Sequence, residues 1–279
     1  DGIFADVKTW LPELIQNILE KQKSQGFIKP QGIFEIQAQK ELGIKVMKQL
    51  GFDFNKGRID ISAHPFCGGV PEDVRLTTRY DKKDFLQSLM GTIHETGHAL
   101  YEQNLPQDLL ALPVGQARSM GIHESQSLFF EMQIGRSAEF LKSIHPYIAE
   151  SFGKKEELAL DNLIKIYSKV EASFIRVDAD EVTYASHVIL RYEIERALMN
   201  GEIETSDIPD MWNDKMQEAL GLNTKGNYKD GCMQDVHWSE GLFGYFPSYT
   251  LGAMYAAQQF NTVKKAYPNI YESIANGDL

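Results

Sequence analysis

Apolar residues recur at intervals of three and four through most of this chain, as in Trp10, Leu14 and Ile18 or Phe85, Leu89 and Ile93. That interval matches the 3.6-residue turn of a helix, so the spacing predicts a mostly α fold. Strands are expected at 58–64 and 73–79, where apolar and polar residues alternate on either side of the Gly- and Pro-containing run 67–71. Together the two segments predict a β-hairpin. A helix is expected from near Asp81, where Asp81 and Asp84 resemble a carboxylate capping box, through the run Phe85, Leu86, Leu89, Met90, Ile93 to about Gln103. The loop 105–117 carries two prolines and is expected to be irregular. Ser119 can cap a second helix that ends near His145-Pro146, because the residue before proline avoids helical backbone. A third helix, 156–200, is expected with a break near Ser173 and a stop at Gly201 in the left-handed conformation.

Composition narrows the partners. Lys and Arg number 28 against 39 Asp and Glu, a net charge of −11, and no basic run interrupts that balance, so nucleic acid is set aside as a partner. No stretch reaches the roughly 20 apolar residues of a membrane span, and the first residues lack the basic and apolar regions of a secretory signal. Cys67 and Cys232 are far apart and form no ligand spacing. A soluble, cytoplasmic protein with two buried thiols is therefore expected. The 279 residues suffice for one large domain or two small ones, and the start at Asp1 suggests a processed or excised segment.

The run His94-Glu95-Thr96-Gly97-His98 lies on the first of the long predicted helices. Residues i and i+4 are displaced by only about 40° around a helix axis, so His94 and His98 project together and can share one ion. Glu95, about 100° away, sits at the edge of that face, where a carboxylate that does not ligate can act as base on water polarised by the ion. Zinc chemistry of this kind needs a third ligand. A third histidine six residues after His98 is excluded, since Asn104 stands there. Glu124, 26 residues after His98 and one turn into the next predicted helix, is the expected third ligand. Glu131, two turns further along the same face, is either a partner for a ligand histidine or an ordinary surface carboxylate. His123 points elsewhere on that helix and reads as structural.

A second signal comes from Arg176, Asp180, Thr183, His187 and Arg191, whose spacings put them within about 80° on a helix otherwise rich in apolar residues. A polar stripe on a buried helix faces partners or a wet cleft, or is a solvated face with ion pairs such as Arg176 with Asp180. With these residues in view, the chain resembles the carboxypeptidase Taq family of zinc metallopeptidases. The resemblance rests on His64-Pro65-Phe66, Asp73-Val74-Arg75-Leu76-Thr77, His94-Glu95-Thr96-Gly97-His98, His123-Glu124-Ser125-Gln126, the segment from Ile175 to Glu181, and the segment from Gly231 to Trp238, in the family's order.

The resemblance implies a mostly α, gluzincin-type helical domain with a small β-hairpin or sheet beside the active-site helix. It implies metal-dependent carboxypeptidase activity of broad specificity on peptides, frequent homodimers, and one zinc per chain, with cobalt as a substitute, on His94, His98 and Glu124 beside the base Glu95. Family members usually carry more helices before and after these motifs, whereas here 63 residues precede His64 and 41 follow Trp238. Residues 1–279 are thus expected to be a single catalytic metallopeptidase region, a fragment lacking the family's N-terminal helical part and final C-terminal helices. In this scheme His237 is the candidate donor to the tetrahedral oxygen, with Tyr249 as substitute. Arg176 is the first candidate to receive a substrate's C-terminal carboxylate, because a guanidinium binds one through two hydrogen bonds. Arg75 and Arg191 are second, since they can instead brace acids such as Asp73 and Asp180. His64, Gln234 and Asp235 are expected to line the groove. Two other readings stand beside this one: a zinc oligopeptidase or endopeptidase, and a catalytically silent module that holds metal and peptide.

Overall fold

The computed structural model describes residues 1–63 and 65–279; His64 lies outside the described residues. The fold is mainly helical with one small sheet, in agreement with the periodicity. Two compact units are formed, each from separate segments: Asp1–Gly26 with Ser168–Leu251, and Phe27–Tyr167 with Gly252–Leu279. Among the described residues no helix is long and apolar enough to cross a membrane.

The first unit contains α1 (Gly2–Gln22), α7 (Tyr184–Met199) and α8 (Ile208–Leu220), with α1 and α8 packed on α7. The buried stripe of α1 is Phe4, Val7, Leu11 and Ile15, whereas Trp10 of the expected stripe is 46% exposed. Both stripes are apolar at helical spacing, and packing on α7 chose between them. Gly201 takes the expected left-handed conformation, φ +70°, just past the end of α7. The helix expected over 156–200 is broken at the expected Ser173, but over a longer stretch than a single break. It runs as α6 (Leu160–Tyr167) in the other unit, an irregular stretch with a 3-10 turn at Arg176–Asp178, and α7. The break is wide because Asp180 turns back on its neighbours, accepting from the backbone of Glu171, Val182 and Thr183 and from the Thr183 hydroxyl.

The second unit holds α2 (Ile36–Gln49), α3 (Phe85–Gln103), α4 (Met120–Leu128), α5 (Ala138–Phe152), α6, most of α9 (Pro247–Ala266), and α10 (Ile270–Asn276). Its core joins Leu42, Val46 and Met47 of α2 to Phe85, Leu89 and Ile93 of α3 and to Phe140, Leu141 and Ile144 of α5. The rings of Phe34, Phe85 and Phe152 close one end, with centroids 4.6–5.1 Å apart.

The sheet departs from the expected hairpin. β1 (Gly57–Ile61) and β3 (Asp73–Thr78) pair in parallel, while β2 (Cys67–Val70) pairs antiparallel with β3, giving the order β1-β3-β2. The run read as a turn is itself a strand: Val70 pairs with Asp73, so only Pro71 and Glu72 link the true hairpin. β1 fills the open edge of β3, and α3 packs on β3 and β2.

Helix α3 starts three residues later than expected, because Asp84 rather than Asp81 is the cap and accepts from the backbone N–H of Leu86 and Gln87. The helix expected from Ser119 to His145 is three pieces: α4, a π-helical segment at Phe129–Gly135, and α5 with Ser137 as its cap. Helix α5 runs past Pro146 to Phe152. A proline inside a helix removes one backbone hydrogen bond, a loss offset here by burial of Phe140, Leu141, Ile144 and Ile148.

Candidate metal centre

Helix α3 brings His94 and His98 to one face, and α4 lies against that face with Glu124 toward them. The contact depends on a residue with no side chain. A Cβ at Gly97 would lie 2.6 Å from Ser127 Cα and 2.7 Å from the Gln126 carbonyl oxygen, so only glycine lets the two backbones approach this closely. On its other side α4 meets α9, where a Cβ on Gly252 would lie 2.9 Å from Glu124 Cβ and Cγ. The glutamate is thus held from two directions.

His94 Nε2 is 4.0 Å and His98 Nε2 3.4 Å from Glu124 Oε2. One ligand atom from each of the three residues falls within 4.8 Å of the others, a separation a single cation can bridge. Glu124 is 4% exposed, and its Oε1 is buried with no hydrogen-bond partner among the described residues. A buried carboxylate with Oε2 near two imidazole nitrogens and Oε1 unpartnered among the described residues is a donor set suited to a divalent metal.

The outer nitrogens of the two imidazoles are also held. His94 Nδ1 lies 2.8 Å from Glu131 Oε2, and Arg136 donates to Glu131 Oε1 at 2.8 Å. Of the two readings open for Glu131, the partner of a ligand histidine is the one observed. His123, read as structural, is 2.7 Å from His98 Nδ1 through its own Nδ1, and its Nε2 is 2.8 Å from Glu102 Oε1. Its adjacency to Glu124 concealed this; the available signal was Glu102, one helical step beyond His94 and His98 on the same face of α3.

Charge is distributed unevenly here. Burial raises the Glu95 carboxyl to about 7, against the pull of His94, so this acid sits near neutrality on the helix that carries the histidines. Burial would also raise Glu131, but the hydrogen bond from His94 and the Arg136 charge bring it down to about 2. His94 is pushed up to about 10: burial opposes its charge, and Glu124 and Glu131 outweigh burial.

The other unit gathers most of the remaining candidates. Arg176 is buried; its Nη2 donates to Asp235 Oδ1 at 2.9 Å, its Nη1 to Tyr184 Oη at 3.2 Å, and its guanidinium lies 4.6 Å from the Tyr249 ring centroid. Its backbone N–H donates to Gln234 Oε1, and Gln234 Nε2 donates to the Phe174 carbonyl. Arg191 is fully buried, 3.6 Å from Asp235 Oδ2 and stacked over Trp238 at 4.0 Å, and its guanidinium nitrogens have no hydrogen-bond partner among the described residues. His237 Nε2 is 2.9 Å from Tyr249 Oη. Burial, with the Arg176 and Arg191 charges, lowers His237 to about 4 against the pull of Asp235, so it is neutral at pH 7. The expected stripe therefore does not lie along one helix: His187 and Arg191 are on α7, Arg176, Asp180 and Thr183 precede it, and Arg176 and Arg191 meet at Asp235. Arg75 is exposed on β3 and paired with Asp73.

Fold and site define a class: a mainly helical protein in which two histidines one turn apart and a glutamate from the next helix are arranged to hold a divalent metal. A family model described as carboxypeptidase Taq (M32) metallopeptidase matches residues 1–279. Carboxypeptidase 1 of Bacillus subtilis is 41% identical over 281 residues, covering 100% of this chain and 56% of the relative. Thermostable carboxypeptidase 1 of Thermus thermophilus is 42% identical over 278 residues, covering 99% and 54%. The solved structure of Trypanosoma cruzi metallocarboxypeptidase 1 matches with a TM-score of 0.97 at 50% identity, over 100% of this chain and 59% of the other. The chain spans about half the length of the curated relatives it matches. It belongs to the carboxypeptidase Taq (M32) metallopeptidase family.

Proposed function

We propose that this chain is the catalytic part of a zinc carboxypeptidase that removes C-terminal residues from peptides with broad specificity. One observation carries the reading: the buried Glu124 carboxylate in a cluster with His94 and His98, with the buried carboxyl of Glu95 next to His94 in the chain. Zinc, or cobalt in its place, held by those three residues would supply Lewis acidity, polarising a carbonyl and easing deprotonation of water. Glu95 takes the proton of the attacking water and returns it to the departing amine. A carboxyl near 7 can do both at neutral pH. His237 with Tyr249 supplies hydrogen bonds to the oxygen that becomes negative. Arg176 receives the substrate's terminal carboxylate. Two buried guanidiniums facing the one carboxylate of Asp235, with Arg191's donors unmet, speak for an anion there. Asp235 and Gln234 hold the Arg176 loop in place, and Arg75 and His64 contribute to peptide binding further out. The reading includes a cytoplasmic setting, which the two free thiols favour, and a homodimer, which sedimentation velocity would detect.

A matched pair of peptides, free acid and C-terminal amide, tests the reaction. The free acid is expected to be trimmed from its end and the amide left intact. Equal hydrolysis of both would instead make the chain an endopeptidase and remove Arg176 as the carboxylate receptor. A second reading, a module that holds metal and peptide without turnover, draws on the same three residues, which would hold a cation whether or not turnover follows. Zinc content and turnover measured on one sample separate the two.

A further inference from the structure

His94 and His98 have one task in the metal reading, yet their outer nitrogens are secured differently. His94 Nδ1 faces a carboxylate directly, at 2.8 Å from Glu131. His98 Nδ1 faces another imidazole nitrogen, at 2.7 Å from His123 Nδ1, and only beyond that ring does a carboxylate follow, Glu102 at 2.8 Å from His123 Nε2.

Two ring nitrogens at that separation share a single proton, so one donates and the other accepts. With the His98 Nε2 lone pair given to the cation, the ring's proton is on Nδ1, and His123 Nδ1 is the acceptor. Neutral His123 then carries its own proton on Nε2, where Glu102 accepts. One choice, metal at His98 Nε2, assigns every proton in the chain. The plane of the middle ring is set as well, since the Tyr101 ring stands at 89° to it with centroids 5.0 Å apart. His94, His98 and Glu102 are four residues apart on α3, so the helix repeat itself spaces the two ligands and the terminal carboxylate.

We propose that His123 and Glu102 are positioning residues for the metal, a relay that fixes the tautomer and ring plane of His98. This rests on the metal reading given above. Neither residue touches substrate; both act through His98, and partners of this kind govern metal affinity. A neutral imidazole polarises His98 less than a carboxylate polarises His94, so the relay raises the donor strength of His98 by less than Glu131 raises that of His94, and its main effect is on tautomer and ring plane.

The test is Zn²⁺ affinity of the metal-free chain by chelator competition, together with the visible absorption of the Co²⁺-loaded form. His123→Phe keeps a ring against Tyr101 but offers no acceptor; it is expected to bind Zn²⁺ about 10–100-fold more weakly and to shift the Co²⁺ bands, with the metal-free melting temperature unchanged. His123→Asn, which can place an oxygen near the lost Nδ1, is expected to restore most of the affinity. Glu102→Leu is expected to weaken binding several-fold. The proposal is overturned if His123→Phe binds Zn²⁺ as the parent does with unshifted Co²⁺ bands, or if His123→Asn is as weak as His123→Phe. Should His123→Phe fail to fold, parental affinity in Glu102→Leu overturns it. A parent chain that takes up no Zn²⁺ would instead defeat the metal reading itself, a distinct result.

Discussion

Glu95, Glu124 and Glu131 are all withdrawn from water near His94, yet their surroundings prepare them for different states. Glu131 is hydrogen-bonded to a histidine and an arginine and stays ionised, whereas burial brings Glu95 to about 7, where it can both take and give a proton. Glu95→Gln removes the proton acceptor and leaves the three ligand side chains in place. It is expected to keep zinc by metal analysis and to lose about 10²–10⁴-fold in kcat; a parental rate would take Glu95 out of the mechanism. Asp235 supports a second prediction. Burial alone would raise its carboxyl, but the hydrogen bond from Arg176 and the charges of Arg176 and Arg191 hold it below the ordinary value of 3.8. A carboxyl lowered by folding contributes stability that is complete above its unfolded pKa and is lost as pH falls through the folded one. Asp235→Asn leaves two buried guanidiniums without a carboxylate and is expected to cost about 3–5 kcal/mol at pH 7. Urea unfolding should show that difference shrinking as pH falls below about 4.

At the scale of elements, the approach of α3 to α4 decides whether a metal can be held, and Gly97 sits at the closest point. Gly97→Ala would push a methyl into the backbone of Gln126 and Ser127, neither of which can yield as a side-chain end can. About 1–3 kcal/mol of destabilisation is expected by urea unfolding, with weaker Zn²⁺ binding because α4 carries Glu124. The ligand spacing was legible in the sequence because both histidines and the glutamate lie within helices whose apolar period is clear. Helix interruptions were less legible. The π segment at Phe129–Gly135 is made of residues that also suit an α-helix, and Asp180 ended a periodic run by hydrogen-bonding the chain around it. Even so, Arg176 and Arg191 of the predicted stripe do meet, at a carboxylate 44 residues beyond Arg191. A charged residue that must be buried seeks its counter-charge wherever the fold can supply it.

At the scale of the molecule, His94, His98 and Glu124 all fall in the unit formed by Phe27–Tyr167 and Gly252–Leu279. A ligand stabilises the structure that binds it, so adding Zn²⁺ is expected to raise amide protection first in α3 and α4, with a smaller change in α7 and α8. Hydrogen exchange by mass spectrometry reads this directly, and a uniform rise along the chain would show that the units open together. Some of this protein was determined by local rules. A mainly helical chain, two histidines on one helical face, a carboxyl between them and a glutamate on the next helix all follow from the geometry of a single helix and the order of residues. Which apolar stripe of α1 is buried, which edge of β3 receives β1, and that His123 stands behind His98 were decided only in three dimensions. Each depends on a partner distant in sequence or on an approach between backbones, and residue spacing within one element carries no record of either.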